Sequence, residues 1–223
     1  MHIPDGFIDI PTSTAFAALA GAGVAMSLKG ARSSLDDKTA PLAGLTATFI
    51  FAVQMLNFPV AAGTSGHLLG GALAAVLVGP FTATLSLTVV LLMQGLLFAD
   101  GGLTAIGLNV FNMGIIGVWV GYASFLLIQK IFSGRKATVP IAAALGGFLS
   151  VPAAAVGFVI QYAIGGTGTF SVTAVFTAMF GTHILIGIGE AIITGLAVGA
   201  VMASRSDLVY GFKNKKVALE IRK

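Results

Sequence analysis

Residues 138–164 read TVPIAAALGGFLSVPAAAVGFVIQYAI, without one charged side chain. A helix needs about 20 consecutive apolar residues to cross a bilayer core, and this run is long enough. Outward from it, further apolar runs cover 13–28, 41–60, 66–79, 81–98, 104–128 and 175–204. Together they predict an all-α, polytopic membrane helical bundle of about seven transmembrane helices. The run 66–79 is short and only Gly79-Pro80 separates it from the next, so six spans is the alternative count. The whole chain is 57% hydrophobic and 9% charged, with mean hydropathy +0.99. A water-soluble domain with that balance would expose large apolar patches. Residues 1–223 therefore read as one integral membrane domain, with no linker and no repeat of 20–50 residues.

The basic residues fall in three groups: Lys29, Arg32 and Lys38; Lys130, Arg135 and Lys136; and Arg205, Lys213, Lys215, Lys216, Arg222 and Lys223. With seven spans all three groups lie on one face, which the positive-inside rule makes cytoplasmic. The N-terminus is then outside, and 205–223 form a cytoplasmic basic tail. The net charge of +4 is thus explained by topology and lipid, and no nucleic-acid partner is expected. Residues 1–28 lack the positive start of a cleaved signal peptide and carry Asp5 and Asp9, so the segment is expected to be retained. Met1 is also expected to stay, because His2 is too bulky for the usual removal of the initiator.

The absence of cysteine leaves nitrogen and oxygen as the donors for any transition metal. The first two residues, Met1-His2, offer three nitrogens to one divalent ion: the free amine, the His2 amide and imidazole Nδ1. These close fused five- and six-membered rings, and such a near-planar nitrogen set favours Ni(II) or Cu(II). Residues 1–12 thus read as an extracellular metal-chelating terminus, with Pro4 and Asp5-Gly6 able to fold it back into the protein. His67 closes the uncharged loop NFPVAAGTSGH (57–67) on the same face and is the best fourth ligand. The loops Asp100-Gly101-Gly102 and Gly165–Ser171 are expected to converge there too. Metal affinity should fall as pH drops through the amine and imidazole range of ~6.5–8.

His183 and Glu190 stand seven apart, on one helix face. An acid within a span is costly enough to be a functional candidate. The favoured role for Glu190 is to accept hydrogen bonds from neighbouring helices; the alternative is a proton or metal relay with His183. Spacings such as Ala43/Ala47, Gly117/Gly121 and Gly195/Gly199 suit internal packing or a docking face for a second membrane subunit. No G-x-x-x-x-G-K-[ST] and no H-E-x-x-H occurs, so an enzyme is not expected, and active uptake would need a partner or an ion gradient.

The start MHIPDGF (1–7), the loop GTSGHLLGGALAA (63–75) and the segment GTHILIGIGEAIITG (181–195) resemble the substrate-binding (S) component of energy-coupling-factor cobalt/nickel transporters, the CbiM/NikM family. The likeness covers nearly the whole chain. It implies a bundle with one N-terminal helix added to the usual six, and metal ligands at Met1, His2 and His67. It also implies a transmembrane coupling subunit, two cytoplasmic ATPase subunits and often a small accessory membrane protein, in a bacterial or archaeal cell membrane. The loop TSGHLLGG is similar to that of nickel-type members, which makes Ni(II) the expected substrate and Co(II) the alternative. A proton-coupled secondary metal carrier is a reading of another class.

Overall fold

The computed structural model describes residues 1–32, 39–60, 64–132 and 134–212. Lys38, residues 61–63 of the histidine loop, and the basic tail from Lys213 to Lys223 lie outside the described residues. Among the described residues, seven helices and a short hairpin follow one another in the order α1 (Ile10–Ala31), α2 (Thr39–Gln54), β1 (Phe58–Val60), β2 (Thr64–Gly66), α3 (Gly71–Val78), α4 (Pro80–Leu97), α5 (Ile106–Ile131), α6 (Val139–Gly165) and α7 (Val172–Arg205). Five of these, α1, α4, α5, α6 and α7, are long and apolar enough to cross a membrane; α6 and α7 reach about 40 and 50 Å at 1.5 Å per residue. Their outer faces carry Leu97, Leu185 and Leu196, each about 70% exposed, as expected of side chains that meet lipid.

Two expected spans are altered. The run 41–60 leaves the helix at Gln54, because Asn57-Phe58-Pro59 turns the chain into a hairpin, antiparallel with Phe58 opposite Gly66 and Val60 opposite Thr64. The run 66–79 is helical over eight residues only, about 12 Å of rise, too short to cross a bilayer alone. Its apolar character has a different cause: every residue of α3 is buried, packed against α2, α4, α5, α6 and α7. A fully buried short helix and a lipid-facing span have the same composition. The bundle is thus mostly helical, not purely so.

Close approach around α3 depends on small residues. A Cβ on Gly121 of α5 would stand 2.7 Å from the Ala72 Cβ, and one on Gly146 of α6 would stand 2.6 Å from the Gly121 carbonyl oxygen. Both are inside contact distance, so α3, α5 and α6 can meet only without side chains there. Above α3 the chain is unwound from His67 to Gly70, and its amides need partners. Glu190, near the middle of α7, accepts from the N–H of Leu69 at 2.8 Å and of Gly70 at 2.7 Å, while Gln54 Nε2 donates to the Leu69 carbonyl at 2.6 Å. The favoured role of Glu190 is met, but its donors are backbone amides of an unwound segment rather than neighbouring helices. His183 takes no part in this: its Nδ1 bonds the Met179 carbonyl at 2.6 Å, and no hydrogen bond joins it to Glu190.

The N-terminus and the C-terminal end of the described chain occupy opposite ends of the bundle. Residues 6–9 pair with Gly165–Thr167 just before α7 begins, whereas Tyr210 and Gly211, beyond the far end of α7, pack on Gly79 and Phe125.

Candidate metal centre

The first nine residues are a strap drawn into the end of the bundle. The Ile3 N–H donates to Asn109 Oδ1 at 2.8 Å, Asn109 Nδ2 returns to the Ile3 carbonyl at 3.3 Å, and that carbonyl also accepts from the Gly102 N–H at 2.8 Å. Asp5 Oδ1 takes the Thr104 N–H at 2.7 Å and hydroxyl at 2.6 Å. Further on, Ile8 bridges to Gly166, the Thr167 hydroxyl donates to the Gly6 carbonyl, and Asp9 caps α1 by accepting from the Thr12 N–H. The N–H groups of Ile3, Phe7 and Asp9 and the carbonyls of Ile3, Gly6 and Phe7 all find partners, so a chain end with little regular structure is held in place.

Gly101 and Gly102 let the next loop close over it. Gly101 adopts φ +95°, and a Cβ there would stand 3.0 Å from His2 Nδ1; a Cβ on Gly102 would lie 2.3 Å from the Asp5 backbone nitrogen. Asn109 stands at the start of a π-helical stretch, Val110–Gly117, within α5, a local widening often found at functional sites. The apolar run 104–128 contains Asn109 and Asn112, which sequence reasoning passed over. An amide inside a predicted span is itself a signal, and Asn112 is likewise used, in a reciprocal bond with Gln161.

Met1, His2 and His67, the three predicted ligands, come together and are all buried. The His2 and His67 rings stack with centroids 4.7 Å apart at 29°. The Met1 amine is close enough to act electrostatically on His2, His67, Asp100 and His183. His67 Nδ1 lies 2.8 Å from the Leu68 carbonyl. A carbonyl only accepts, so that nitrogen carries the proton and Nε2 keeps a free lone pair. His67 Nε2 is buried without a hydrogen-bond partner, as are His2 Nε2 and His183 Nε2. A buried unpaired nitrogen costs free energy, and at His67 Nε2 a bound cation is one way to recover it. Among the described residues, no group of three His, Cys, Asp or Glu side chains could hold an ion; a metal here would rely on amine and backbone nitrogen as well as the two imidazoles.

Burial sets the protonation of the strap. It lowers the Met1 amine to about 4, against an attraction to Asp100, and lowers His2 to about 3, helped by the amine's charge. Both groups are neutral across pH 5–8 in the docked strap, their own protonation lying near pH 3–4; a metal that displaced the His2 amide proton would still bind more weakly as pH falls. Asp100 is shifted upward by partial burial, against a bond from Asn57. A cavity of about 530 Å³ opens over the site, lined by His2, Asp5, Asn57, Ser65 and Asp100 among others.

Fold and site together define a polytopic helical membrane protein with a nitrogen-rich pocket built around Met1, His2 and His67. Residues 2–208 match the family described as the cobalt uptake substrate-specific transmembrane region, and the chain belongs to that family. It is 35% identical to a putative metal transport protein of Haloquadratum walsbyi, covering all of both chains. It is 38% identical to a putative fused nickel transport protein of Archaeoglobus fulgidus, over 94% of this chain and 68% of that one. A cobalt transport protein of Sorangium cellulosum is 35% identical over 94% of each. A crystal structure of a transition metal transporter superposes with TM-score 0.85 at 30% identity over the full length of both.

Proposed function

We propose that this chain is the substrate-specific subunit of an ATP-driven energy-coupling-factor transporter, and that it binds Ni(II) at the outer face through the Met1 amine, the His2 amide and Nδ1, and His67 Nε2. The observation that carries the reading is the joint burial of Met1, His2 and His67 with the His67 lone pair unpartnered. In a near-planar set of four nitrogens the His2 amide gives up its proton, which suits Ni(II) better than Co(II), an ion that more often takes higher coordination. Similarity to a protein named for nickel transport supports nickel, and similarity to one named for cobalt transport, with the family's own description, keeps Co(II) as the second reading. In tube-level affinity Cu(II) would exceed both, so selectivity would rest on pocket shape and supply.

A free amine at Met1 is required, and 1–12 would then be the outer chelating strap of a single domain spanning 1–223. The basic loops and tail would face the cytoplasm of a bacterial or archaeal cell. There a transmembrane coupling subunit and two ATPase subunits, with or without a small accessory membrane protein, would supply the energy. Withdrawal of the segment carrying His67 would break the plane and release the ion inward. The experiment is uptake of radioactive nickel into vesicles containing the chain alone or with its coupling and ATPase subunits. Uptake that needs the subunits and ATP supports the reading. Uptake by the chain alone, driven by a pH gradient, would make it a secondary carrier.

A further inference from the structure

We propose that Asp100 is the positioning residue of the metal-bound His2 ring and the counter-charge of the loaded site; this rests on the nickel reading above. The fused chelate takes His2 through Nδ1, so Nε2 must carry the ring's proton. That nitrogen is buried with no hydrogen-bond partner, and Asp100 Oδ2 stands 3.6 Å away. A small ring rotation on metal binding brings the pair within the ~2.7–2.9 Å of a charge-assisted bond. A carboxylate on the far nitrogen of a ligating imidazole fixes its tautomer and orientation and makes it a stronger donor.

The carboxylate is held for this task. Asn57 Nδ2 donates to Asp100 Oδ2 at 3.0 Å, and the Asp100 N–H donates to the Gln94 carbonyl at 3.0 Å. Its neighbours on both sides have positive φ: Ala99 at 52° and Gly101 at 95°. A non-glycine residue there is uncommon and costs stability, and it persists where the surroundings demand that path. Charge leads to the same residue. Ni(II) with one deprotonated amide and three neutral nitrogens carries +1, and the Asp100 carboxylate at the rim of the pocket brings the sum to zero. A buried charge left unpaired would be far costlier.

The test is Ni(II) titration of the folded full chain, with its native N-terminus, followed by calorimetry and by the visible absorption of the bound ion. Wild type is compared with Asp100→Ala, Asp100→Asn and His2→Ala. Asp100→Ala should weaken binding by about 10–100-fold and move the absorption band at saturation to lower energy, as the imidazole becomes a poorer donor. Asp100→Asn keeps an acceptor for Nε2–H without the charge; it should restore the band position but only part of the affinity. Wild-type affinity in both Asp100 variants, with His2→Ala inactive, overturns the role of Asp100 and leaves the nickel reading standing. Lost affinity in Asp100→Ala with an unchanged band reduces Asp100 to loop support and also overturns it. If Asp100→Ala does not fold, Asp100→Asn decides, and wild-type affinity there overturns the counter-charge. A wild-type chain that binds no Ni(II) overturns both readings.

Discussion

At the scale of residues, the site was legible where chemistry is rare and illegible where it is common. A chain with three histidines and no cysteine leaves few ways to hold a metal, and a second-position histidine has a chelate geometry of its own. Met1, His2 and His67 could therefore be named together from the sequence. Asn109 could not be tied to them, because its bonds to Ile3 cross 106 residues and depend on how α5 meets the strap. Burial of the strap also changes its acid–base behaviour. A released terminus has ordinary values of 8.0 for the amine and 6.5 for the imidazole, against about 4 and about 3 when docked. Both are bases with lowered docked values, so the released state binds more protons and docking stability rises with pH. It is complete above pH 8, falls by about tenfold per pH unit as the amine titrates, and falls more steeply once the imidazole joins below 6.5. Amide exchange at Ile3 in the metal-free protein, corrected for its intrinsic rate, should accelerate progressively from pH 8 to pH 5. Constant protection over that range would contradict the docked, neutral terminus.

At the scale of elements, apolar run length located α1, α4, α5, α6 and α7 because each is apolar and long enough to cross a bilayer core. It misread 66–79 because α3 is apolar for the opposite reason, burial on every side. The π-helical stretch of α5 gave no signal, since its residues are those of any span. The unwound segment 67–70 depends on Glu190, which fills two backbone donors. Glu190→Leu leaves both N–H groups buried and unpaired, at about 1–3 kcal/mol each. Thermal unfolding should report that loss, and Ni(II) affinity should fall as well, because His67 begins the same segment. A Glu190→Leu protein with unchanged stability would show that the amides find other partners. Glu190→Gln, with a single acceptor oxygen, should lie between.

At the scale of the whole molecule, the fold gives two distinct ends, and the basic residues Lys130, Arg135, Lys136 and Arg205 gather away from the strap. Because the chain has no native cysteine, single cysteines can report which end faces where. Thr169→Cys should react with an impermeant thiol reagent in intact cells, and Arg135→Cys only after the membrane is opened. The reverse pattern would invert the bundle and place the chelate inside. Length, charge pattern and the three histidines were enough to read a membrane protein and to name Met1, His2 and His67 together, with the Asp100-Gly101-Gly102 loop beside them; the hairpin and the half-length α3 come from packing that no linear pattern records. The central claim is that the chain's own first nitrogen is a ligand. Its most direct test is Ni(II) binding by the protein with its native terminus beside the same protein carrying one extra residue before Met1, both verified as folded. Tight, stoichiometric binding abolished by the added residue is the predicted result; equal binding by the two would contradict the account.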